Sequence, residues 1–182
     1  MLQDVERLDG LIDHLLDAAR TLNHRAAGSG EVTELEPLLV QVRAAVIQRH
    51  EVGEECVRID CGPELRVRGR ETDVEIIFRN LLDNAVKYSL PEPDVEVTAT
   101  VAKGVVTVRV ADNGPGIPLA QRNAVFRRFV RLGSELERST PGTGLGLFLV
   151  RALVKQMRGR VTAKGRLTQR GSIFEVELPA SG

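Results

Sequence analysis

Tryptophan is absent from these 182 residues, and aromatic residues as a whole make up only 3% of them. The core must therefore be built from Val, Leu, Ile and Ala. Charge is balanced, with 25 basic and 25 acidic residues and a formal net charge of zero. That removes any global electrostatic case for binding nucleic acid or an anionic membrane. The two cysteines, Cys56 and Cys61, have no second Cys pair or His cluster nearby to complete a zinc site, and read as reduced thiols. No apolar run approaches the roughly 20 residues a membrane span needs, and no signal peptide opens the chain. The expectation is a soluble, cytoplasmic unit, with any membrane anchor confined to a longer parent protein. At 42% hydrophobic and 27% charged residues the composition is that of globular material, and the length suits one sizeable domain plus an appendage.

The first 25 residues read as that appendage. Val5, Leu8, Ile12, Leu15, Ala19 and Leu22 recur at spacings of three and four, an a/d seam over almost three heptads. Leu11 and Leu16 widen it to the stripe of a helical bundle, which needs a partner, either another copy or a missing helix. Gly28-Ser29-Gly30 breaks the pattern. The division expected is a helix over 1–27, a linker over 28–32 and a domain over 33–182.

Within the domain, Thr33 with Glu36, and Thr72 with Glu75, have capping-box spacing at the starts of two helices. Val57 and Ile59, then Leu65 and Val67, alternate around Cys61-Gly62-Pro63 and predict a short hairpin. Val95 to Val101 and Val106 to Val110 predict two strands turning at Lys103-Gly104. A short helix is expected over 119–130, another after Gly146 ending near Met157, and two last strands around 160–164 and 173–178. This order predicts an α+β fold: a two-layer α/β sandwich, its mostly antiparallel sheet carrying helices on one face, preceded by one long amphipathic helix.

Four segments carry chemistry. On the second helix, Asn80, Asn84 and Lys87 fall within a stripe roughly 60° wide, with Val74, Ile77, Phe78, Leu81, Leu82, Ala85 and Tyr88 opposite. Amide oxygens can ligate a hard cation and Lys can meet phosphates, although a wet helix face has the same pattern. Asp112-Asn113-Gly114-Pro115-Gly116 ends a strand; its carboxylate can accept from an exocyclic amine, while Asp-Asn-Gly is also plain turn chemistry. Val125-Phe126-Arg127-Arg128-Phe129-Val130-Arg131 offers two phenylalanines for packing and an arginine, Arg131, that can reach an anion. Gly142-Thr143-Gly144-Leu145-Gly146-Leu147 precedes a helix whose first N–H groups suit phosphate. It is neither a dinucleotide-binding fingerprint nor a P-loop, because Leu147 stands where the former needs glycine and no Lys-Ser/Thr pair follows.

In this order and spacing the segments resemble the N, G1, F and G2 boxes of the ATP-binding catalytic domain of two-component sensor histidine kinases. The likeness runs from about residue 33 to 179 and includes the closing Arg170-Gly171-Ser172-Ile173-Phe174. Residues 1–25 resemble the second helix of the dimerisation and phosphoacceptor hairpin. The resemblance implies ATP and Mg²⁺ as ligands, with Asn84 on the metal, Asn80 supporting it, Lys87 on phosphate and Tyr88 lining the nucleotide. It implies Asp112 on the adenine amino group, with a water shared by Ser172, and Gly114, Gly116 and Ile117 shaping the base pocket. Gly142, Thr143, Gly144, Leu145, Gly146 and Leu147 would cradle phosphates and end a lid over about 127–141, and Arg131 would approach the terminal phosphate. It further implies a response regulator, a phosphoacceptor helix from the same or a partner subunit, and a possible homodimer through residues 1–25. Related gyrase- and chaperone-type ATPases carry a Glu where this chain has Asn80; an amide cannot serve as a general base near neutral pH, which suits transfer to a histidine over hydrolysis.

None of His14, His24 or His50 continues into the family's acidic, basic and Pro pattern, so the acceptor helix is expected to lie outside this sequence. The family's usual His-Gly-Gly is replaced by Met157-Arg158-Gly159. A related Ser kinase of the anti-sigma type, or a non-catalytic nucleotide-binding or dimerisation module, are the competing readings.

Overall fold

A computed structural model describes residues 30–130, 143–166 and 170–182. The predicted N-terminal helix over 1–27 and the start of its linker, Arg131, Gly142 and most of the expected lid lie outside those residues. The described elements are strands β1 (Val32–Glu34), β2 (Val57–Cys61), β3 (Arg66–Arg68), β4 (Val95–Ala102), β5 (Val105–Ala111), β6 (Arg160–Gly165) and β7 (Ser172–Pro179), with helices α1 (Leu35–His50), α2 (Glu71–Ser89) and α3 (Gly146–Gln156).

Five strands form one sheet in the order β2-β4-β5-β7-β6, and β1 with β3 forms a separate antiparallel pair. Every pairing in the large sheet is antiparallel except β2 with β4. The sandwich is thus the α+β architecture predicted. The buried positions of the strands, such as Val95, Val97, Val108, Val110, Val176 and Leu178, join one core with Leu39 and Val46 of α1, Phe78 and Leu81 of α2, and Val150 and Leu153 of α3. Alternation explains this: residues two apart share a sheet face. The other face is polar, and its best-built contact is Glu175, which accepts from Arg109 Nε at 2.7 Å and Lys164 Nζ at 2.6 Å. Burial alone would raise the Glu175 carboxyl; those two cations outweigh it and hold it below its ordinary value.

Four local expectations are corrected. The segments around Cys61-Gly62-Pro63 do not pair as a hairpin: β2 lies parallel to β4, while β3 pairs with β1. The alternation marks both segments as strands, but pairing is decided by the sheet edges available, which no local pattern encodes. Thr33 is not a helix cap; it sits in β1 and its hydroxyl donates to the Gly69 carbonyl at 2.9 Å, tying the small sheet to the start of α2. Thr72 lies inside α2, whose first turn is held by Arg70 Nη2 on Asp73 Oδ2 at 3.1 Å, with no side-chain cap bond at Arg70. The helix expected over 119–130 is two short 3₁₀ turns, Leu119–Gln121 and Ala124–Phe126. The second is held to the sheet by an edge-to-face contact of Phe126 with Phe174, centroids 6.1 Å apart.

Leu81 of α2 is fully buried in the core. Leu81→Ala is expected to cost about 3 kcal/mol through lost burial and the cavity left behind; urea unfolding followed by circular dichroism measures it.

Candidate functional site

Helix α2 carries the first group of predicted site residues. Its apolar face fixes its rotation, because Val74, Ile77, Phe78, Leu81, Leu82 and Ala85 are all buried. Asn84 and Lys87 stay half-exposed at the edge of that seam. Asn80 does not join them on an open face: it is buried, and its Nδ2 donates to the Ile76 carbonyl at 2.8 Å. Tyr88, expected on the buried side, is 45% exposed, and the Lys87 ammonium sits 5.5 Å from its ring centroid. The nineteen-residue helix keeps its ideal rotation, but what packs over the edges of the stripe differs along it, so Asn80 is covered and Tyr88 is left outside.

Beside Asn84, Asp83 faces the other way. Its Oδ1 lies 2.9 Å from His50 Nε2 and 3.7 Å from Arg49 Nε, joining the end of α1 to the middle of α2. Burial would raise the Asp83 carboxyl, but the His50 hydrogen bond and the neighbouring cations bring it below the usual carboxylate range. His50 is thus engaged in holding two helices together.

The second group gathers at the end of β5. Asp112 is buried, and its Oδ1 accepts from the Gly114 N–H at 2.9 Å and the Ser172 N–H at 3.1 Å. The Asp112 N–H donates to the Ser172 carbonyl at 2.9 Å. Ser172 is therefore a backbone partner of Asp112 as well as its neighbour. Among the described residues Oδ2 receives no hydrogen bond, which leaves one oxygen of a fixed carboxylate as an acceptor. Burial pushes this carboxyl up, opposed by the two backbone bonds and by the Arg166 guanidinium. Gly171, at φ +129, lies so close to the Asp112 carbonyl that a Cβ there would collide with it. Gly114 packs against the Tyr88 carbonyl and the Ser89 hydroxyl at the end of α2, and Gly116 packs against the Gly171 carbonyl. Ile117 packs at the edge of the core. The structure thus brings Asp112, Gly114, Gly116 and Ser172 together with the end of α2; Asn84 lies roughly 7.5 Å back along that helix axis, at 1.5 Å per residue.

The third group opens α3. Gly144 has φ +71 and its carbonyl accepts from the Phe129 N–H at 3.0 Å, a backbone approach that a side chain would obstruct. The Leu145 N–H donates to Thr143 Oγ1 at 3.3 Å, and Leu147 packs against the core. Gly146 is the first residue of α3, whose cap position Leu145 supplies no side-chain bond. The first-turn N–H groups of such a helix have no intrahelical partners and carry the positive end of its dipole. Helices α2 and α3 pack against one another, so the amides of Asn84 and the start of α3 belong to one layer.

Two residues of this region gave no signal in the sequence. Arg122 donates from Nε to the Ile117 carbonyl at 3.1 Å, and Arg166 donates from Nη1 to the Asp112 carbonyl at 3.3 Å. An arginine bonded to a carbonyl 54 positions away has no local pattern. A groove of about 1000 Å³ runs elsewhere, beside Arg68, Gly69, Met157 and Pro179, and none of the predicted site residues lines it.

A mixed sheet covered by helices carries a fixed carboxylate at a strand end, and a glycine-led helix, α3, packs against α2 in the layer above it. The family model described as histidine kinase-, DNA gyrase B- and HSP90-like ATPase matches residues 69–182. The chain belongs to that ATP-binding family, and within it to the catalytic domains of sensor histidine kinases. It is 32% identical over 166 residues to the sensor protein PhoQ of Escherichia coli O157:H7, covering 90% of this chain and 32% of PhoQ. It is also 32% identical over 170 residues to the virulence sensor histidine kinase PhoQ of Salmonella typhimurium, covering 92% and 33%. The chain therefore spans about a third of the length of these curated relatives. Among solved structures it resembles the mycobacterial sensor histidine kinase MprB, with TM-score 0.69, 27% identity, and 82% and 97% of the two chains covered. It resembles full-length ShkA in complex with AMPPNP with TM-score 0.70, 30% identity, and 94% and 35% covered. No helix of the described residues is long and apolar enough to cross a membrane.

Because burial raises the Asp112 carboxyl, its charge costs stability that grows as pH rises from the ordinary carboxylate range through the raised value. Asp112→Asn keeps the Oδ1 acceptor and removes the charge. It is expected to melt at or above the wild-type temperature at neutral pH, with the gap closing in acid; differential scanning calorimetry across pH tests this.

Proposed function

We propose that this chain binds ATP with Mg²⁺ and transfers the γ-phosphoryl group to a histidine on a dimerisation helix, for relay to an aspartate of a response regulator. The observation that carries the reading is the Asp112 carboxylate. One oxygen is held by two backbone N–H groups and the other is left to accept, which fits the exocyclic amine of adenine. The AMPPNP bound in the related ShkA structure supports the same ligand class.

The remaining roles follow from chemistry. Tyr88, whose ring is exposed beside Lys87 and whose carbonyl packs on Gly114, would cover the base or ribose. Lys87, the first N–H groups of α3 with Thr143, Gly144, Leu145, Gly146 and Leu147, together with Gly142 and Arg131, would hold the phosphates. The described residues contain no cluster of His, Cys, Asp or Glu that could cage a cation. A half-exposed amide oxygen can supply one ligand to a phosphate-borne Mg²⁺, since that ion keeps waters and takes few protein ligands. Asn84 would hold it, and the ion would neutralise phosphate charge. Asn80, buried and bonded to a backbone carbonyl, contributes no base to activate water. The work of the domain is then positioning: the histidine nitrogen attacks the γ-phosphorus, the bond to ADP breaks, and fixed donors stabilise the charge. Residues 1–25 would supply part of a homodimeric hairpin, and the acceptor histidine would come from the same or a partner subunit.

The test incubates the chain with labelled ATP and a separately made acceptor hairpin. Label on histidine is expected in the presence of Mg²⁺, and Asn84→Ala should reduce its rate by about 100-fold or more. Without an acceptor, ADP should accumulate only slowly; rapid steady-state hydrolysis by the chain alone overturns the proposed role of Asn80. Asp112→Asn should lose ATP binding by calorimetry while keeping its folded circular dichroism spectrum.

A further inference from the structure

We infer that Arg122 and Arg166 form a two-point brace behind the 112–117 loop, and that they set the affinity for the adenine end of the nucleotide by holding that loop in place. This rests on the ATP reading above. The loop leaves β5 and crosses Gly114-Pro115-Gly116 without strand pairing. Its front is occupied by the carboxylate and the N–H groups that hold it. Its carbonyls at the two ends, Asp112 and Ile117, accept from Arg166 Nη1 at 3.3 Å and Arg122 Nε at 3.1 Å.

Both arginines reach the loop from the end of β6. Arg166 follows β6 directly, and Arg122 Nη2 lies 2.5 Å from the point a Cβ on Gly165 would take. Arg166 is only 17% exposed and has Glu96 Oε2 3.9 Å away, so its position is fixed from the sheet side as well. Its N–H lies 3.4 Å from the Gly171 carbonyl, and its Cδ is 3.1 Å from the point a Cβ on Gly171 would take. Arg166, Gly171 and Asp112 are therefore one packed unit. A peptide plane held at its carbonyl cannot rotate without moving the side chain on the same residue, so bracing the Asp112 carbonyl aims the carboxylate. The guanidinium charge also favours the ionised carboxylate that accepts from an amine. Neither arginine touches the nucleotide in this scheme; both are positioning residues.

Competitive calorimetry on the full chain measures Mg²⁺-bound ATP and Mg²⁺-bound inorganic triphosphate against wild type, Arg122→Gln, Arg166→Gln and Arg166→Lys, with melting temperatures alongside. Triphosphate engages the phosphate half of the cleft alone. Each Gln variant is expected to weaken ATP about tenfold, the effect of losing one hydrogen bond to a charged group, with triphosphate affinity and melting temperature unchanged. Arg166→Lys, which keeps the charge and a donor, should recover most of the loss. Equal weakening of ATP and triphosphate, a loss that tracks a lowered melting temperature, or no loss at all overturns the brace. Asp112→Asn separates the two levels: if it loses ATP while both Gln variants keep it, the brace alone fails. If wild type itself binds no ATP, the nucleotide reading fails and the brace with it.

Discussion

Seven paired positions between β5 and β7, from Val105 opposite Pro179 to Ala111 opposite Ile173, decide where the Asp112 carboxylate stands. The register places Ser172 one step beyond the last pair, where its N–H and carbonyl meet Asp112 on both backbone and side chain. A one-residue slip would turn the buried valines outward and Asp112 away from its donors together. Core packing and site geometry are thus set by the same ladder, and the alternation Val106, Val108, Val110 against Phe174, Val176, Leu178 locks it.

Helix α2 works by a similar coupling. The seam of Phe78, Leu81, Leu82 and Ala85 holds its rotation against the sheet, and that rotation leaves Asn84 and Lys87 at the edge while drawing Asn80 in. Asp83, one residue before Asn84, is held by His50 from α1. The amide proposed for the metal therefore sits between a packed face and an ion pair, with little freedom to drift. Preorganisation of this kind is what phosphoryl transfer asks of a protein that supplies positioning and charge in place of covalent chemistry.

The strands, the three α-helices and the order of the four motif segments were legible because they depend on short-range periodicity and on glycine at fixed spacings, whereas the segment 119–130 is too short in its repeats to tell a helix from 3₁₀ turns. Three things were not. Pairing partners of β2 and β3 depend on which edges the rest of the sheet leaves open. The capping roles expected of Thr33 and Thr72 were overridden, the first by a cross-chain bond to the Gly69 carbonyl and the second by an ion pair in the first turn of α2. Asn80 and Tyr88 exchanged expected exposures because a stripe drawn on an ideal helix ignores what covers its edges.

By itself the sequence determined the fold class, the family, and the identity of the groups available to the cleft, since these follow from residue type and order along the chain. Tertiary structure alone decided which oxygen of Asp112 is engaged and which is left to accept, and that Arg122 and Arg166 bond the Ile117 and Asp112 carbonyls. The reason is physical: hydrogen bonds between residues 54 to 60 positions apart exist only after the sheet has closed. No local pattern rewards an arginine for a carbonyl it meets across the fold.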